Sequence, residues 1–458
     1  MRLFTLALVF IFQISTSIAQ ERPNIVLINI DDMGWRDLGI MGSDYYQTPF
    51  LDSLAEQSLV FEQAYAAAAN CAPSRASMLT GLWATRHKIY TVASSERGKT
   101  EDRKIIPTKN TLFFDPAFTT FPQILQKNGY STLHAGKWHV SKNPRDFGFD
   151  NSIGGGPEGS PRNYSSPYGL SNWEGPEDDY LSDAIMDKTI RSLSELERPF
   201  FLYYSPYAVH TPIQGKSELA KKYHSINSEI GQKNPEYASM VENLDRNLAS
   251  LFSALQSREM LENTMVIFTT DNGGLKGITS QTPLRSGKGS YYEGGIRVPF
   301  FIFWKGKINP GRDKKSLITQ MDIFPTLMEI LDLNNEIELD GRSLWPTISK
   351  GEPLDQRRLF WHFPIYLQAY SVPDPGIRDP KFRTRPGSVI RDGDWKLQYY
   401  FEDQDFELFH LKDDPSEQND LSSTRPEKAQ ELLKLLQNWW EETEAPIPTK
   451  PNPSYEGL

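Results

Sequence analysis

Asn24-Ile-Val-Leu-Ile-Asn-Ile-Asp-Asp32, "NIVLINIDD", is a nearly continuous apolar run that stops abruptly at two carboxylates. A run this short, rich in Ile and Val and without regular polar alternation, reads as a strand buried on both faces, as in a parallel sheet covered by helices. The pattern recurs down the chain. Residues 48–58 read as a helix with Thr48 as cap and Pro49 in the first position. Residues 121–128 form a second helical stretch, stopped by Gly129, that leads into the strand-like 131–135. Helical patterns over 183–196 and about 237–257 precede further apolar runs at 200–204 and 265–270. Helices alternating with buried strands imply an α/β fold: a large domain with a mainly parallel central sheet flanked by helices.

Near residue 350 the texture changes. Residues 388–400 and 407–411 place turn signals between short β-rich runs, which predicts antiparallel strands; a helix at about 426–441 and an extended Pro-rich tail from Ala445 follow. The chain is therefore divided into a signal peptide at 1–20, a large domain at 21–350 and a smaller C-terminal subdomain at 351–458. The signal-peptide reading rests on Arg2, an apolar stretch from Leu3 to about Phe12, and small residues up to Ala19. That stretch is too short to span a membrane, no later segment qualifies, and the cleavage region holds no lipid-accepting cysteine. The mature protein is expected in the periplasm or outside the cell, with no membrane span. With 49 Lys and Arg against 59 Asp and Glu, the formal charge of -10 argues against general capture of nucleic acid, so an anionic ligand needs a local cationic pocket.

Three strand ends carry residues that a core would not select: Asp31-Asp32, Lys137-Trp138-His139 and Asp271-Asn272. In open α/β sheets the ligand crevice lies beyond the carboxyl ends of the strands. Three carboxylates and an amide gathered there repel one another unless a cation sits among them, and the all-oxygen set suits calcium or magnesium. Arg75, Lys137 and Lys288, the last flanked by glycines, are candidate anion-binding groups, and His210 is a candidate proton donor. Cys71 is the only cysteine, so it has no partner for a disulfide within the chain, and the ordinary reading of such a residue is a small buried hydrophobe.

Its surroundings say more. "CAPSRASMLTG" (71–81), "GYSTLHAGKWH" (129–139), "DDMGWRDLG" (31–39), "DNGG" (271–274) and "GKGSYYEGGIRVP" (287–299) together resemble the signature blocks of type I sulfatases, the formylglycine-dependent branch of the alkaline phosphatase superfamily. The resemblance implies that a maturation enzyme oxidises Cys71 to formylglycine, whose hydrated form is the nucleophile. It further implies that Asp31, Asp32, Asp271, Asn272 and residue 71 hold Ca2+. Arg75 is then expected to hold the nucleophile, Lys137 and Lys288 to bind sulfate, His210 to protonate the leaving alcohol, and His139 to take the proton that releases sulfate. Blocks such as "WHFPIY" (361–366) resemble bacterial polysaccharide sulfatases, particularly those acting on 4-O-sulfated galactose-type sugars, so a sulfated carbohydrate is the expected substrate. Trp361 and His362 are candidate sugar contacts, and Arg383 and Arg385, in a loop that also carries Arg378 and Lys381, are candidates for neighbouring anionic groups.

Two alternatives stand beside this reading. A phosphodiesterase or phosphatase of the same superfamily needs extra histidine ligands for zinc, whereas Asn272 follows the aspartate here and the whole chain has only seven histidines. A non-catalytic sulfated-glycan-binding protein has no need of a placed acid, base and nucleophile together.

Overall fold

In the computed structural model, which describes residues 22–177, 179–333 and 337–456, the opening run is the strand Asn24–Ile30, buried at every position. It pairs in parallel with Phe200–Ser205 on one side and Thr264–Thr270 on the other. The full sheet has eight strands in the order Asn151–Ile153, Ser131–Gly136, Phe200–Ser205, Asn24–Ile30, Thr264–Thr270, Phe300–Trp304, Leu59–Phe61, Gly311–Asp313. Its first five strands are parallel, and Phe300–Trp304 runs antiparallel to both neighbours. The signal-peptide reading falls on residues outside those described.

Because successive strand residues face opposite ways, the first strand feeds two cores. Val26 and Ile28 pack with Leu202, Val266 and the helices Pro49–Glu56, Leu181–Ser192 and Pro235–Ser257. Ile25 and Leu27 pack on the other side with Phe201, Ile267 and the helices Cys71–Thr80, Phe121–Lys127 and Ile323–Ile330. The long helix begins two residues before the expected 237. Asn234 caps it by accepting from the Tyr237 N–H at 3.1 Å, and Pro235 fills a position whose N–H needs no partner.

The expected C-terminal change of architecture is present. Arg358–Phe363, Gly387–Asp392, Trp395–Tyr400 and Asp405–His410 form a four-stranded antiparallel sheet, backed by the helix Pro426–Glu442 through Ala429, Leu432 and Leu436. This subdomain shares a core with Tyr65, Trp83 and Ile296 of the preceding region. Trp361 belongs to that core: it is buried, lies edge-on to Tyr65 and donates to the Ala66 carbonyl at 2.9 Å. His362 is buried between the Ser388 hydroxyl and the Pro446 carbonyl. The expectation that Trp361 and His362 line a sugar site is thus corrected, because both side chains are consumed by packing.

Lys396 joins the two regions. Its Nζ lies 3.0 Å from Glu293 Oε1 and 2.8 Å from Glu417 Oε1, with all three side chains buried. Burial, with Glu293 adding to it against the pull of Lys396, pushes the Glu417 carboxyl up to about 7. Removing one partner from such a cluster leaves buried charge uncompensated, so Lys396→Met is expected to lower stability by about 3–5 kcal/mol in urea unfolding.

Candidate active site

Register decides where the functional groups meet. Ile30 lies opposite Thr270, and Gly136 opposite Ser205, so the central parallel strands end level. Asp31, Asp32, Lys137, Asp271 and Asn272 therefore leave the sheet from one edge, and all are buried. The Asp32 N–H donates to Asp271 Oδ1 at 3.1 Å, which locks the two strand ends together. Asp32 and His139 have φ of 60° and 70°, left-handed backbone conformations just beyond two of the strand ends.

Cys71 is the first residue of the helix Cys71–Thr80, preceded by an extended Asn70 whose carbonyl accepts from the Ser74 N–H at 3.1 Å. Pro73 sits in the first turn, where a missing N–H costs nothing. All ten helix residues are buried, and Ala72, Ser74, Ala76 and Ser77 are small enough to let the helix lie close among its neighbours. Arg75, four residues after Cys71, falls on the same helix face.

The side chains form one interlocked cluster. Lys288 Nζ lies 2.7 Å from Asp32 Oδ2 and 3.2 Å from Cys71 Sγ, and that sulfur is 3.7 Å from Asp32 Oδ1. Lys137 Nζ is 2.8 Å from both oxygens of Asp31. Arg75 reaches Asp271 Oδ2 with Nε at 2.9 Å and Nη2 at 2.8 Å, and donates through Nη1 to the Lys137 carbonyl at 3.1 Å and to the Ser205 hydroxyl. His210 Nε2 lies 3.5 Å from Asp32 Oδ2. Every polar catalytic and metal candidate except His139 is tied to another by a direct contact, Asn272 through Asp32.

One expectation changes here. The carboxylates were expected to need an external cation between them, yet Arg75, Lys137 and Lys288 already stand against Asp271, Asp31 and Asp32, one cationic side chain to each carboxyl. The case for a metal rests instead on a different observation. Asn272 Nδ2 donates to Asp32 Oδ1 and to the Gly273 carbonyl, both at 2.9 Å, which turns its Oδ1 the other way; that oxygen is buried with no hydrogen-bond partner among the described residues. A buried acceptor left unmatched is costly. With Asp31 and Asp32, whose carboxylate oxygens lie within 4.8 Å of one another, it offers hard oxygen donors of the kind calcium takes. Asp31 is in keeping with this: burial, then the nearby Asp271 and Asp32, push its carboxyl up to about 8 despite Lys137, and a divalent ion relieves that. The residues present fit the ion.

Both histidines are neutral as they stand. Burial first, then the charges of Lys137, Arg75 and Lys288, hold His139 well below the usual imidazole range, and its Nδ1 is buried without a hydrogen-bond partner among the described residues. Burial and then Lys288 push His210 down to about 3, with Asp32 pulling the other way. His210 Nδ1 lies 2.7 Å from the Thr211 carbonyl, which only accepts, so the proton of the neutral ring is on Nδ1 and the lone pair of Nε2 faces the cluster. Burial also pushes the Cys71 thiol up to about 12, against the pull of Lys137 and Lys288, so the unmodified sulfur is no nucleophile near neutral pH.

Of the basic loop, only part reaches the site. Arg385 is paired with Glu402 at 2.8 Å and Asp403 at 2.9 Å, so its assignment as a substrate contact is corrected: its charge is already satisfied. Arg383 instead lies over the Lys288 segment, its Nη1 3.5 Å from the Lys288 carbonyl. Two site residues escaped notice in the sequence. Ser205 ends a parallel strand and was detectable by the same strand-end rule. Tyr370, whose hydroxyl donates to the Gly287 and Lys288 carbonyls at 2.9 Å each, gives no such signal.

Buried cations gathered at the carboxyl ends of a parallel sheet suit an enzyme for anionic esters. The chain belongs to the sulfatase family: the Sulfatase family model matches residues 23–333, and a second, the C-terminal model of N-sulphoglucosamine sulphohydrolase, matches 287–445. It is a sulfuric ester hydrolase. A sulfatase of Formosa agariphila is 31% identical over 92% of this chain and 88% of its own length. The N-acetylgalactosamine-6-sulfatase of Rattus norvegicus is 31% identical over 77% of this chain and 71% of its own. Among solved structures, Ps i-CgsB superposes with a TM-score of 0.74 at 26% identity, covering 94% of this chain and 95% of that one. No helix among the described residues is long and apolar enough to cross a membrane.

Proposed function

We propose that this is an exported sulfatase that removes a sulfate ester from a carbohydrate, with Cys71 matured to formylglycine and calcium held by Asp31, Asp32, Asp271 and Asn272 beside residue 71. The observation that carries the reading is the place of Cys71: an inert, buried thiol at a helix N-terminus, 3.2 Å from Lys288 Nζ, at the centre of the cation cluster. Formylglycine, once hydrated, would supply two hydroxyls on one carbon: one to displace the alcohol oxygen from sulfur, the other to lose its proton so that sulfate leaves and the aldehyde re-forms. Calcium, held by those residues, would supply Lewis acidity at the sulfate site. The chain's own residues do the rest. Lys137 and Lys288 offset charge on the sulfate oxygens. Arg75, locked on Asp271, holds the helix turn that presents residue 71. His210 gives a proton from Nε2 to the departing alcohol oxygen, having gained it as the anionic substrate arrives and raises its basicity, and the neutral His139 takes the proton whose loss frees sulfate.

In this reading residues 21–350 carry the chemistry, and 351–458 supply the wall on which Arg383 stands. The sugar of this reading is a sulfated galactose-type unit, with the 4-O position taken from the sequence blocks alone. The N-acetylgalactosamine-6-sulfatase relative supports the sugar type but is named for the 6 position, and Ps i-CgsB, whose structure is also known with k-i-k-neocarrahexaose, supports an oligosaccharide substrate.

The test is peptide mass spectrometry around residue 71 in a host with the maturation enzyme, followed by sulfate release from galactose, N-acetylgalactosamine and glucosamine sugars sulfated at O4 or O6. Formylglycine and release from one of them are expected; an unmodified Cys71 or a silent panel overturns the proposal. Lys288→Ala is expected to lower kcat/KM by about 100- to 1,000-fold, the effect of removing one preorganised charge from such a site. Undiminished turnover removes Lys288 from the mechanism.

A further inference from the structure

The cations of the 376–387 loop are not equivalent. Arg378 is held by Asp405 at 2.6 Å, Lys381 by Asp102, and Arg385 by Glu402 and Asp403. Arg383 has no carboxylate partner among the described residues. Its Nε donates to the Gln368 carbonyl at 2.9 Å, and its guanidinium stacks 4.3 Å from the centre of the Tyr370 ring. Its side chain crosses Gly289, where an added Cβ would lie 2.7 Å from Arg383 Cδ, and its Nη1 lies 3.5 Å from the carbonyl of Lys288, the residue before.

A second unmatched cation stands beside it. Glu96 bridges Tyr366, whose N–H donates to the Ser95 carbonyl at 3.0 Å, and Gly98 lies against the Phe382 ring; Arg97 is thereby set next to the hairpin formed by Leu367–Gln368 and Phe382–Thr384. Arg97 is half-buried and makes no hydrogen bond or ion pair among the described residues, while the adjacent Glu96 is turned to Arg103 at 3.6 Å. Burial lowers the basicity of both guanidiniums, and Arg97 lowers that of Arg383 further. Two half-buried cations on adjoining loop segments, in a loop system where every neighbouring cation has an acid, are unfavourable unless a ligand supplies the anion.

We infer that Arg97 and Arg383 form a second anion subsite beside the Lys288 segment of the sulfate site, which takes a further sulfate ester on a neighbouring sugar of the same oligosaccharide. The inference rests on the sulfatase reading and narrows its substrate to multiply sulfated glycans. Planar guanidiniums suit this task because each presents paired N–H donors to two oxygens of one sulfate. Arg385, two residues on, does not share the task because its fork is filled by acids of its own chain.

The test compares kcat/KM for mono- and disulfated oligosaccharides built on whichever sugar backbone releases sulfate in the panel above. The wild-type protein is expected to prefer the disulfated form by at least about tenfold, a preference that shrinks as ionic strength rises. Arg97→Gln is expected to remove most of that preference and Arg97→Lys to restore part of it. Because Arg383 also touches the Lys288 segment, Arg383→Gln is expected to depress both substrates, the disulfated one more. No wild-type preference, or a preference unchanged in Arg97→Gln, overturns the subsite while leaving the sulfatase reading intact. A panel that releases no sulfate at all withdraws both.

Discussion

Cys71→Ser is expected to leave a folded protein that completes at most one turnover per molecule. The exchange is nearly isosteric, and the sulfur's polar contacts are with Lys288 Nζ and Asp32 Oδ1, both of which a hydroxyl can also meet. Serine offers one hydroxyl where hydrated formylglycine offers two. Attack on sulfur therefore yields a sulfated serine with no second hydroxyl whose proton can be lost to release it. Steady-state kcat is expected to fall by at least about 10,000-fold, and intact mass after incubation with substrate is expected to show a stable gain of about 80 Da, one SO3 per chain. Cys71→Ala, with no hydroxyl at all, is expected to lose turnover without the mass gain. Multiple turnovers by Cys71→Ser within tenfold of the wild type would mean that one hydroxyl suffices, and the maturation of residue 71 would then have no role in the chemistry.

The central sheet was legible because strands buried on both faces leave nearly unbroken apolar runs, and Asn24–Ile30, Phe200–Ser205 and Thr264–Thr270 are such runs. The short edge strands Leu59–Phe61 and Gly311–Asp313 left no comparable signal, since three residues carry too little pattern. The strand-end rule located Asp31, Lys137 and Asp271, because it depends on topology that alternation already implies. Charge pairing was not legible. Lys381 meets Asp102 and Arg391 stands near Glu293 across long stretches of chain, so no local reading could tell a paired cation from a free one. The misassignment of Arg385 has the same origin: on a continuous strand it would share a face with Arg383, but the strand ends at Thr384 and the two side chains part. Trp361 and His362 were misplaced because an aromatic strand carries no mark of which face meets solvent.

Calcium is expected to stabilise the protein even before residue 71 is modified, which makes its binding measurable apart from turnover. The internal cations already balance the three carboxylates, so the driving force is not bulk repulsion; it is the unmatched Asn272 Oδ1 together with the opposed ionisation of Asp31. Protein stripped by a chelator and titrated with calcium should gain about 2.7 kcal/mol at a free concentration of about 100 times Kd, seen as a rise of a few degrees in Tm. Magnesium should do less, because it demands near-ideal octahedral geometry and gives up its waters reluctantly. Asn272→Ala deletes the unmatched oxygen and is expected to weaken the calcium response by at least about tenfold in apparent Kd, the cost of one ligand in a site of this kind. In the matured protein, chelation should abolish sulfate release and calcium should restore it. If Tm ignores calcium and chelation leaves turnover untouched, then Arg75, Lys137 and Lys288 alone neutralise the pocket, and Asn272 serves only to brace Asp32 through its amide nitrogen.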